Sequence, residues 1–463
     1  MLLKISKSFI YLAVFAPIIV LPSTLFPFIG GKDYFFRICI ELSLAFLILY
    51  WAFEAQKGEI LDRFKKIVKN PLFIAVSIFA LMFLLASIFA YDPKAAFWSN
   101  YERGEGGFQM IHYYLFFVLL AFHLQSWKSW KTGMQLFLTA AVMVIGYGIL
   151  ANILGSNSGF IGDPNGWHAR FQASLGNPDY VGIYLVFPIF FTLFLLFSKH
   201  EKITVQKIIT YGSLIIFYLI FFIAAETRST FFGLGAAIVV FLLALALTVK
   251  KIRTPIIVTL IILIILTGTL IYYHNSSFVK NLPGGRFFDI SGFSSISHRF
   301  WAWKIAFQAF LERPIFGWGA ENFSAAFDKY FNPAYFNPQV PGGGETWFDR
   351  AHSVIFDYLT ETGILGLLSY LGIFLAFYWE FFKTWLKNNK ENIQIKKPSK
   401  QITDKKSNLK ETIYWLLIFV LPIAYFVNQL ALFDVLPIIL SWFFFLAFAV
   451  YQFNAKYQNE QQR

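Results

Sequence analysis

Charge is scarce in this chain: only 14% of its 463 residues are Asp, Glu, Lys or Arg, against 57% hydrophobic, where a soluble domain carries about 25% charged residues. That shortage excludes an ordinary water-facing surface, so most of the solvent must be lipid. Cysteine is nearly absent as well. The single Cys39 lies inside an apolar run, so no disulfide forms within the chain and no cysteine-based zinc site exists. Internal repeats are lacking, as is the inverted-half symmetry that many transporters show.

What is abundant is apolar runs long enough to cross a bilayer as helices, about 17 to 25 residues each. They fall at roughly 8–29, 34–53, 72–91, 109–126, 133–153, 179–197, 208–225, 229–248, 255–273, 352–381, 413–428 and 432–452. The expected fold is all-α: a polytopic bundle of about twelve transmembrane helices, forming a single integral membrane domain over 1–463. The first run follows Lys4 and Lys7 but continues through Pro22 and Pro27 without a small-x-small cleavage site. It reads as an uncleaved first helix.

The formal charge of +13 would suit nucleic acid, yet the basic residues sit in alternate gaps between the runs. Lys57, Arg63, Lys65, Lys66 and Lys69 share one gap, Lys128 and Lys131 the next of that parity, then Lys199, Lys202 and Lys207, then Lys250, Lys251 and Arg253. The 383–412 gap adds nine lysines as a basic cytoplasmic loop. This is the positive-inside pattern, so membrane lipids and not nucleic acid are the expected surroundings. The other gaps, 92–108, 154–178 and an extracytoplasmic helical loop region at 274–351, are rich in Gly, Pro, Asn and aromatic residues. Such a mixture suits a binding surface pressed against the membrane more than a solvating loop.

Candidate functional residues concentrate there. Trp98, Glu102, Arg103 and Glu105, with Tyr101 and flexible glycines between, form a mixture suited to gripping sugar hydroxyls and stacking on sugar rings, or equally a solvated turn with an ion pair. Arg170 precedes Asn177-Pro178-Asp179, a turn in which Asp179 is expected to cap a helix, a duty that leaves Arg170 unexplained. Arg228 interrupts two apolar runs almost without a loop, a costly place for a cation unless it meets an anion or water. In the segment Ser297 to Lys304 and on to Arg313, helical spacing puts Lys304, Gln308 and Glu312 on one polar stripe. Arg299, Trp303 and Arg313 fall on the opposite face with the aromatics. His352, after Asp349, Arg350 and Ala351, stands at a helix mouth, where an imidazole can exchange a proton near neutral pH. Asp357 and Glu361 lie well round that helix from His352 and form no ready-made relay with it.

Taken in order, these motifs resemble the bacterial O-antigen ligase and O-antigen polymerase superfamily. The resemblance rests chiefly on Arg299 with Trp303, on Pro314-Ile-Phe-Gly317-Trp-Gly319, on Ala351-His352 and on Glu361-Thr-Gly363-Ile-Leu-Gly366. Ser353 and Asp179 stand where that family often has Asn. The resemblance implies a membrane glycosyltransferase-like bundle that moves a glycan from an undecaprenyl diphosphate carrier to a glycolipid, glycan or protein acceptor outside the cytoplasmic membrane. It also implies functional roles for the residues matching Arg228, Arg299 and His352. A sugar leaving diphosphate sheds charge that a metal or fixed cations must meet. The outer gaps hold no Asp-x-Asp pair, with Glu102 and Glu105, or Asp349 and His352, as the only near substitutes. Arg228, Arg299 and Arg170 are instead available, and arginine fits phosphate through its planar fork. The expectation is therefore metal-free, cofactor-free, inverting transfer with His352 as base. A polysaccharide polymerase or a protein O-glycosyltransferase fits the same residues, and a transporter or flippase of lipid-linked sugars is the competing class.

Overall fold

The helices begin where asparagine, aspartate, serine or threonine can satisfy the first backbone N–H groups. Asn70, Asp92 and Asn177 each accept from N–H groups of the following turn, with Pro71, Pro93 and Pro178 at the first helical position. Ser126 and Thr204 cap two further helices in the same way. The structure, a computed structural model, describes residues 1–100, 102–155, 161, 170–289, 294–333, 347–394 and 403–454. Tyr101 and parts of the 154–178, 274–351 and 383–412 gaps therefore lie outside the described residues.

In chain order the described helices are α1 (Leu2–Ala13), α2 (Gly30–Phe53), α3 (Glu59–Ile67), α4 (Pro71–Ile88), α5 (Pro93–Trp98), α6 (Gly107–His123) and α7 (Trp127–Leu154). There follow α8 (Pro178–Phe197), α9 (Val205–Ala224), α10 (Arg228–Thr248), α11 (Arg253–Tyr272) and α12 (Ser277–Lys280). The last five are α13 (Ser294–Glu312), α14 (Phe323–Tyr330), α15 (Val354–Gln394), α16 (Thr403–Gln429) and α17 (Leu436–Phe453). Among the described residues ten helices are long and apolar enough to span a membrane, and α6 is a shorter apolar helix. The chain is an all-α polytopic membrane protein.

One expected span differs. The run at 8–29 does not form one helix: α1 stops at Ala13, a short turn covers Ala16–Ile18, and the next helix starts at Gly30. Pro17, Pro22 and Pro27 supply no N–H to an i−4 carbonyl, so the apolar run cannot propagate as a helix through them.

Burial sorts the helices. α17 is buried along its whole membrane window and α8 along most of it, whereas α9, α10 and α11 leave most of theirs uncovered, as lipid-facing helices do. The connections sort into two ends. At the lysine-rich end Glu201 binds Lys131 and Lys207, the α-amino group of Met1 meets Glu54 at 2.7 Å, and Asn454 donates to the Lys66 carbonyl at 2.6 Å. At the opposite end the Lys32 ammonium donates to the Ser174 carbonyl at 2.8 Å, and the Tyr91 N–H to the Trp318 carbonyl at 2.7 Å. The candidate site lies at this second end.

Candidate active site

The start of α8 organises one half of the site. Asn177, rather than the expected Asp179, caps the helix: its Oδ1 accepts from the Asp179 N–H at 2.8 Å. Asp179 is thereby left to bind Arg170, and both share the Thr227 hydroxyl, at 3.0 Å from Arg170 and 3.1 Å from Asp179. Arg170 also donates through Nε to the Ala225 carbonyl at 2.9 Å, so it has the structural duty that its sequence context did not reveal. Arg228 opens α10 and reaches Asp289 at 3.1 Å and the Arg286 carbonyl at 3.1 Å. Burial, then the positive charges of Arg170 and Arg228, lower the Arg286 guanidinium below its ordinary value. Three guanidinium groups thus crowd together, with Asp179, Asp289 and Glu226 close by. Planar guanidinium forks of this kind have the geometry that fits phosphate oxygens.

The other half is the turn at His352. This residue adopts a left-handed φ of 55°, uncommon for a side chain of its size. The preceding residue is held at both of its polar ends. The Ala351 N–H donates to Asp357 Oδ1 at 2.6 Å, and its carbonyl accepts from Trp303 Nε1 at 2.9 Å. Trp303 stacks on Phe356 with ring centroids 5.1 Å apart and 12° between planes. The His352 Nδ1 lies 3.1 Å from the Arg350 carbonyl; a carbonyl only accepts, so Nδ1 carries a proton and, in the neutral ring, Nε2 holds the lone pair. The ring packs edge-on against Phe348 and Phe433. Beside it Asp349 takes a 2.5 Å bond from Arg103 Nε, and Arg103 Nη1 donates to the Tyr180 hydroxyl at 3.2 Å. Burial raises the Asp349 carboxyl, but the Arg103 bond and charge outweigh it and hold it below the usual carboxylate value.

Because Tyr180 follows Asp179, the Arg103–Asp349–His352 group and the arginine patch are joined through one turn of α8. Arg299 meets the same neighbourhood from α13, donating through Nη1 to the Ala431 carbonyl at 2.9 Å, two residues before Phe433. On α13 the expected stripe holds: Lys304, Gln308 and Glu312 are exposed, while Ala302, Ile305 and Ala306 pack on Phe323, Phe327, Phe348 and Ala351.

Beneath the turn is a buried cluster that the sequence did not disclose. Arg350 Nη1 donates to both Glu361 oxygens at 2.5 and 2.6 Å and Nη2 binds Glu321, whose N–H donates to Glu361 at 3.1 Å. Burial opposes the Arg350 charge, yet Glu321 and Glu361 more than compensate, so the guanidinium stays firmly protonated. Glu105 points in here too, accepting from the Tyr113 hydroxyl at 3.1 Å, and burial together with the Asp33 and Glu321 charges pushes its carboxyl far above the ordinary value. A small cavity of about 40 Å³ is lined by Glu105, Arg350, Asp357, Glu361, Phe433 and Asp434. Burial pushes the Asp434 carboxyl up to about 7 despite its bond from the Tyr425 hydroxyl.

The glycine-bearing motifs secure this cluster. α15 breaks at Gly363 (φ 65°, ψ −167°), which frees carbonyls that a continuous helix would use. The Trp318 and Gly319 N–H groups take the Thr360 and Glu361 carbonyls at 2.8 Å each, and the Ile364 N–H takes the Pro314 carbonyl at 2.8 Å. A Cβ at Gly317 would stand 2.5 Å from the Thr360 oxygen, and one at Gly363 2.4 Å from the Ile315 oxygen. Only glycine permits that approach.

Residues 213–371 match the family model described as O-Antigen ligase. Over this stretch, about a third of its length, the chain is similar to the O-antigen ligase family. No curated protein matches the chain. The O-antigen ligase match contains Arg228, Arg299, Trp303 and His352, whereas Trp98, Glu102, Arg103, Glu105 and Arg170 precede it. Of those five, Arg103 and Arg170 join the site just described. Glu102 is 3.9 Å from Arg103, Glu105 turns into the buried cluster, and Trp98 projects elsewhere, packed on Phe97 and Phe108 and 59% exposed. The side chains of the 98–105 stretch thus point to different places. Arg286, Arg350, Glu321 and Asp434 escaped sequence reasoning because no spacing pattern pairs them with the groups they meet, which lie 9 residues away for Asp434, 11 and 29 for Arg350 and 58 for Arg286. A cation or acid in an otherwise apolar or aromatic setting was the one available signal.

Proposed function

We propose that the protein transfers a glycan from undecaprenyl diphosphate to an acceptor hydroxyl at the extracytoplasmic face of the cytoplasmic membrane, as a ligase of the O-antigen type. The observation that carries this reading is the joining, through Asp179 and Tyr180, of a crowded arginine patch to a histidine whose Nδ1 is committed to a carbonyl. The two halves supply the two needs of a displacement at an anomeric carbon. His352 Nε2 takes the proton of the acceptor hydroxyl as that oxygen bonds to the sugar. The bond from the anomeric carbon to the diphosphate oxygen breaks with its electron pair, and Arg228, Arg286 and Arg170 receive the negative charge, with Arg299 on the same side of the turn. One displacement inverts the sugar carbon. Fixed guanidinium groups make a metal unnecessary in this scheme.

The test is incubation of the purified chain with lipid-linked oligosaccharide and candidate glycolipid, glycan and protein acceptors, measuring released undecaprenyl diphosphate. His352→Ala is expected to keep donor binding and lose ~10²–10⁴ in rate. Arg299→Lys, with its charge kept and its fork lost, is expected to be impaired as well. Near-normal transfer by His352→Ala at native protein levels would refute the base assignment.

A further inference from the structure

Away from the arginine patch, a polar cavity of about 430 Å³ lies between the start of α2 and the 92–104 segment, within the size range of ligand pockets. Its lining includes Asp33, Tyr34, Arg37, Asp92, Lys94 and Trp98. We propose that it is a saccharide-binding site, holding the neutral glycan portion of the acceptor beside the transfer centre.

Asp33 is the first ground. It is 4% exposed, and its Oδ1 is a buried acceptor with no hydrogen-bond partner, a costly state unless something donates to it. The neighbouring Lys32 ammonium does not, because it is bound to the Ile19 and Ser174 carbonyls at 2.6 and 2.8 Å. A sugar hydroxyl is a donor of the right kind. Arg37 is the complementary group. Its Nε donates to Gln109 at 2.5 Å and its Nη2 to the Gly104 carbonyl at 3.2 Å, which uses two of a guanidinium's five N–H donors.

Two aromatic rings are the second ground. Tyr34 and Trp98 line the cavity and are 53% and 59% exposed. Trp98 is held by edge-on packing with Phe97 and by contact with Phe108, so its ring is a fixed platform of the kind that sugar C–H faces stack on.

The mix of groups is the third. The lining sets Asp33 and Asp92 beside Arg37 and Lys94, acceptors and donors together as hydroxyl groups need, and so differs from the crowded arginines of the patch.

Position assigns the site to the acceptor. Ser99, Asn100 and Gly104 form its wall, while Arg103 of the same loop turns the other way to Asp349, beside His352, and to Tyr180. A saccharide here and a diphosphate at the arginine patch approach the histidine from opposite sides of one loop, as an attacking hydroxyl and a leaving group must. This last step rests on the transfer reading; the saccharide site itself does not.

The test presents purified full-length protein to an array of neutral hexose and N-acetylhexosamine oligosaccharides and their phosphorylated counterparts. Wild type is expected to retain neutral saccharides, and the exposed-ring variants Trp98→Ala and Tyr34→Ala to lower retention roughly tenfold without loss of folding. Gly104→Ala, whose Cβ would stand 2.1 Å from Asp33 Oδ2, should lower it too. No retention by wild type, retention only of phosphorylated saccharides, or retention unchanged in both ring variants would overturn the proposal. Release of undecaprenyl diphosphate is scored separately, so a protein that binds neutral saccharide but transfers nothing refutes the transfer reading and leaves the saccharide site standing.

Discussion

Trp303→Phe isolates what holds the His352 turn. Two of the indole's contacts bear on the turn: its ring stacks on Phe356 at 5.1 Å, and its Nε1–H closes a 2.9 Å bond to the Ala351 carbonyl. Phenylalanine keeps most of the stacking and removes the bond. The half-open turn then contains an acceptor without its donor, costing ~1–3 kcal/mol. The left-handed φ of 55° at His352 is itself unfavourable by roughly 1–2 kcal/mol, so relaxation of the turn relieves strain and the loss falls on the catalytic conformer. At 1.4 kcal/mol per factor of ten, the expected fall in kcat is roughly five- to a hundred-fold. The assay is single-turnover release of undecaprenyl diphosphate, with KM for donor and acceptor measured alongside. A positioning role lowers kcat and leaves both KM values near wild type, whereas a ring that touches glycan raises a KM. Transfer by Trp303→Phe at the wild-type rate, with Trp303→Ala inactive, would refute the argument, because the ring and not the N–H would then hold the turn.

Activity is expected to persist in EDTA if arginines meet the diphosphate as proposed; loss on chelation, restored by Mg²⁺ or Mn²⁺, would point instead to the carboxylates of Glu102, Glu105 or Asp349. The folded Asp349 carboxyl sits below its unfolded value of about 3.9, so the Arg103 ion pair contributes fully above that pH and is lost as pH falls through the folded value. Thermal unfolding of the wild type in detergent should therefore drop steeply on acidification from pH 5 to pH 3, and Asp349→Asn should show a shallower fall; parallel curves would refute the link. For orientation, single cysteines at the exposed positions Lys57 and Lys280, in a Cys39→Ser background, should react oppositely with an impermeant maleimide in sealed cells. Equal labelling of both would remove the assignment of the lysine-rich end to the cytoplasm.

The helices were legible because hydrophobic length alone decides what can cross lipid, and alternate lysine-rich gaps sorted the connections into the two ends that the structure shows. The start of the chain was less so. Its apolar run counts as a span by hydropathy, but Pro17, Pro22 and Pro27 withhold the N–H groups that a helix needs, and hydropathy is blind to donors. In the site, Arg170, Arg228, Arg299 and His352 stood out because charge or imidazole near hydrocarbon is unusual. Their partners did not, since the Arg103–Asp349 pair spans 246 residues and the Arg37–Gly104 contact 67. Asp33 lay in the short gap between the runs at 8–29 and 34–53, with nothing in the sequence to join it to the 92–104 segment.

The two glycine-bearing motifs show how a signature can be recognisable and still have its meaning withheld. In sequence, Pro314–Gly319 and Glu361–Gly366 are separate stretches with no evident chemistry. In the structure one provides N–H groups and the other the carbonyls released by the break at Gly363. The break is possible because φ 65° with ψ −167° is open to glycine, and the contact is close because Gly317 carries no Cβ. Its result is reached through a side chain. With the Glu361 backbone held by Gly319, the Glu361 carboxylate meets Arg350 Nη1, and the Arg350 carbonyl, in turn, meets His352 Nδ1. Backbone pairing at a broken helix thereby sets the tautomer of an imidazole on the neighbouring turn. That chain of contacts is a physical reason for the glycines and the histidine to occur together in order.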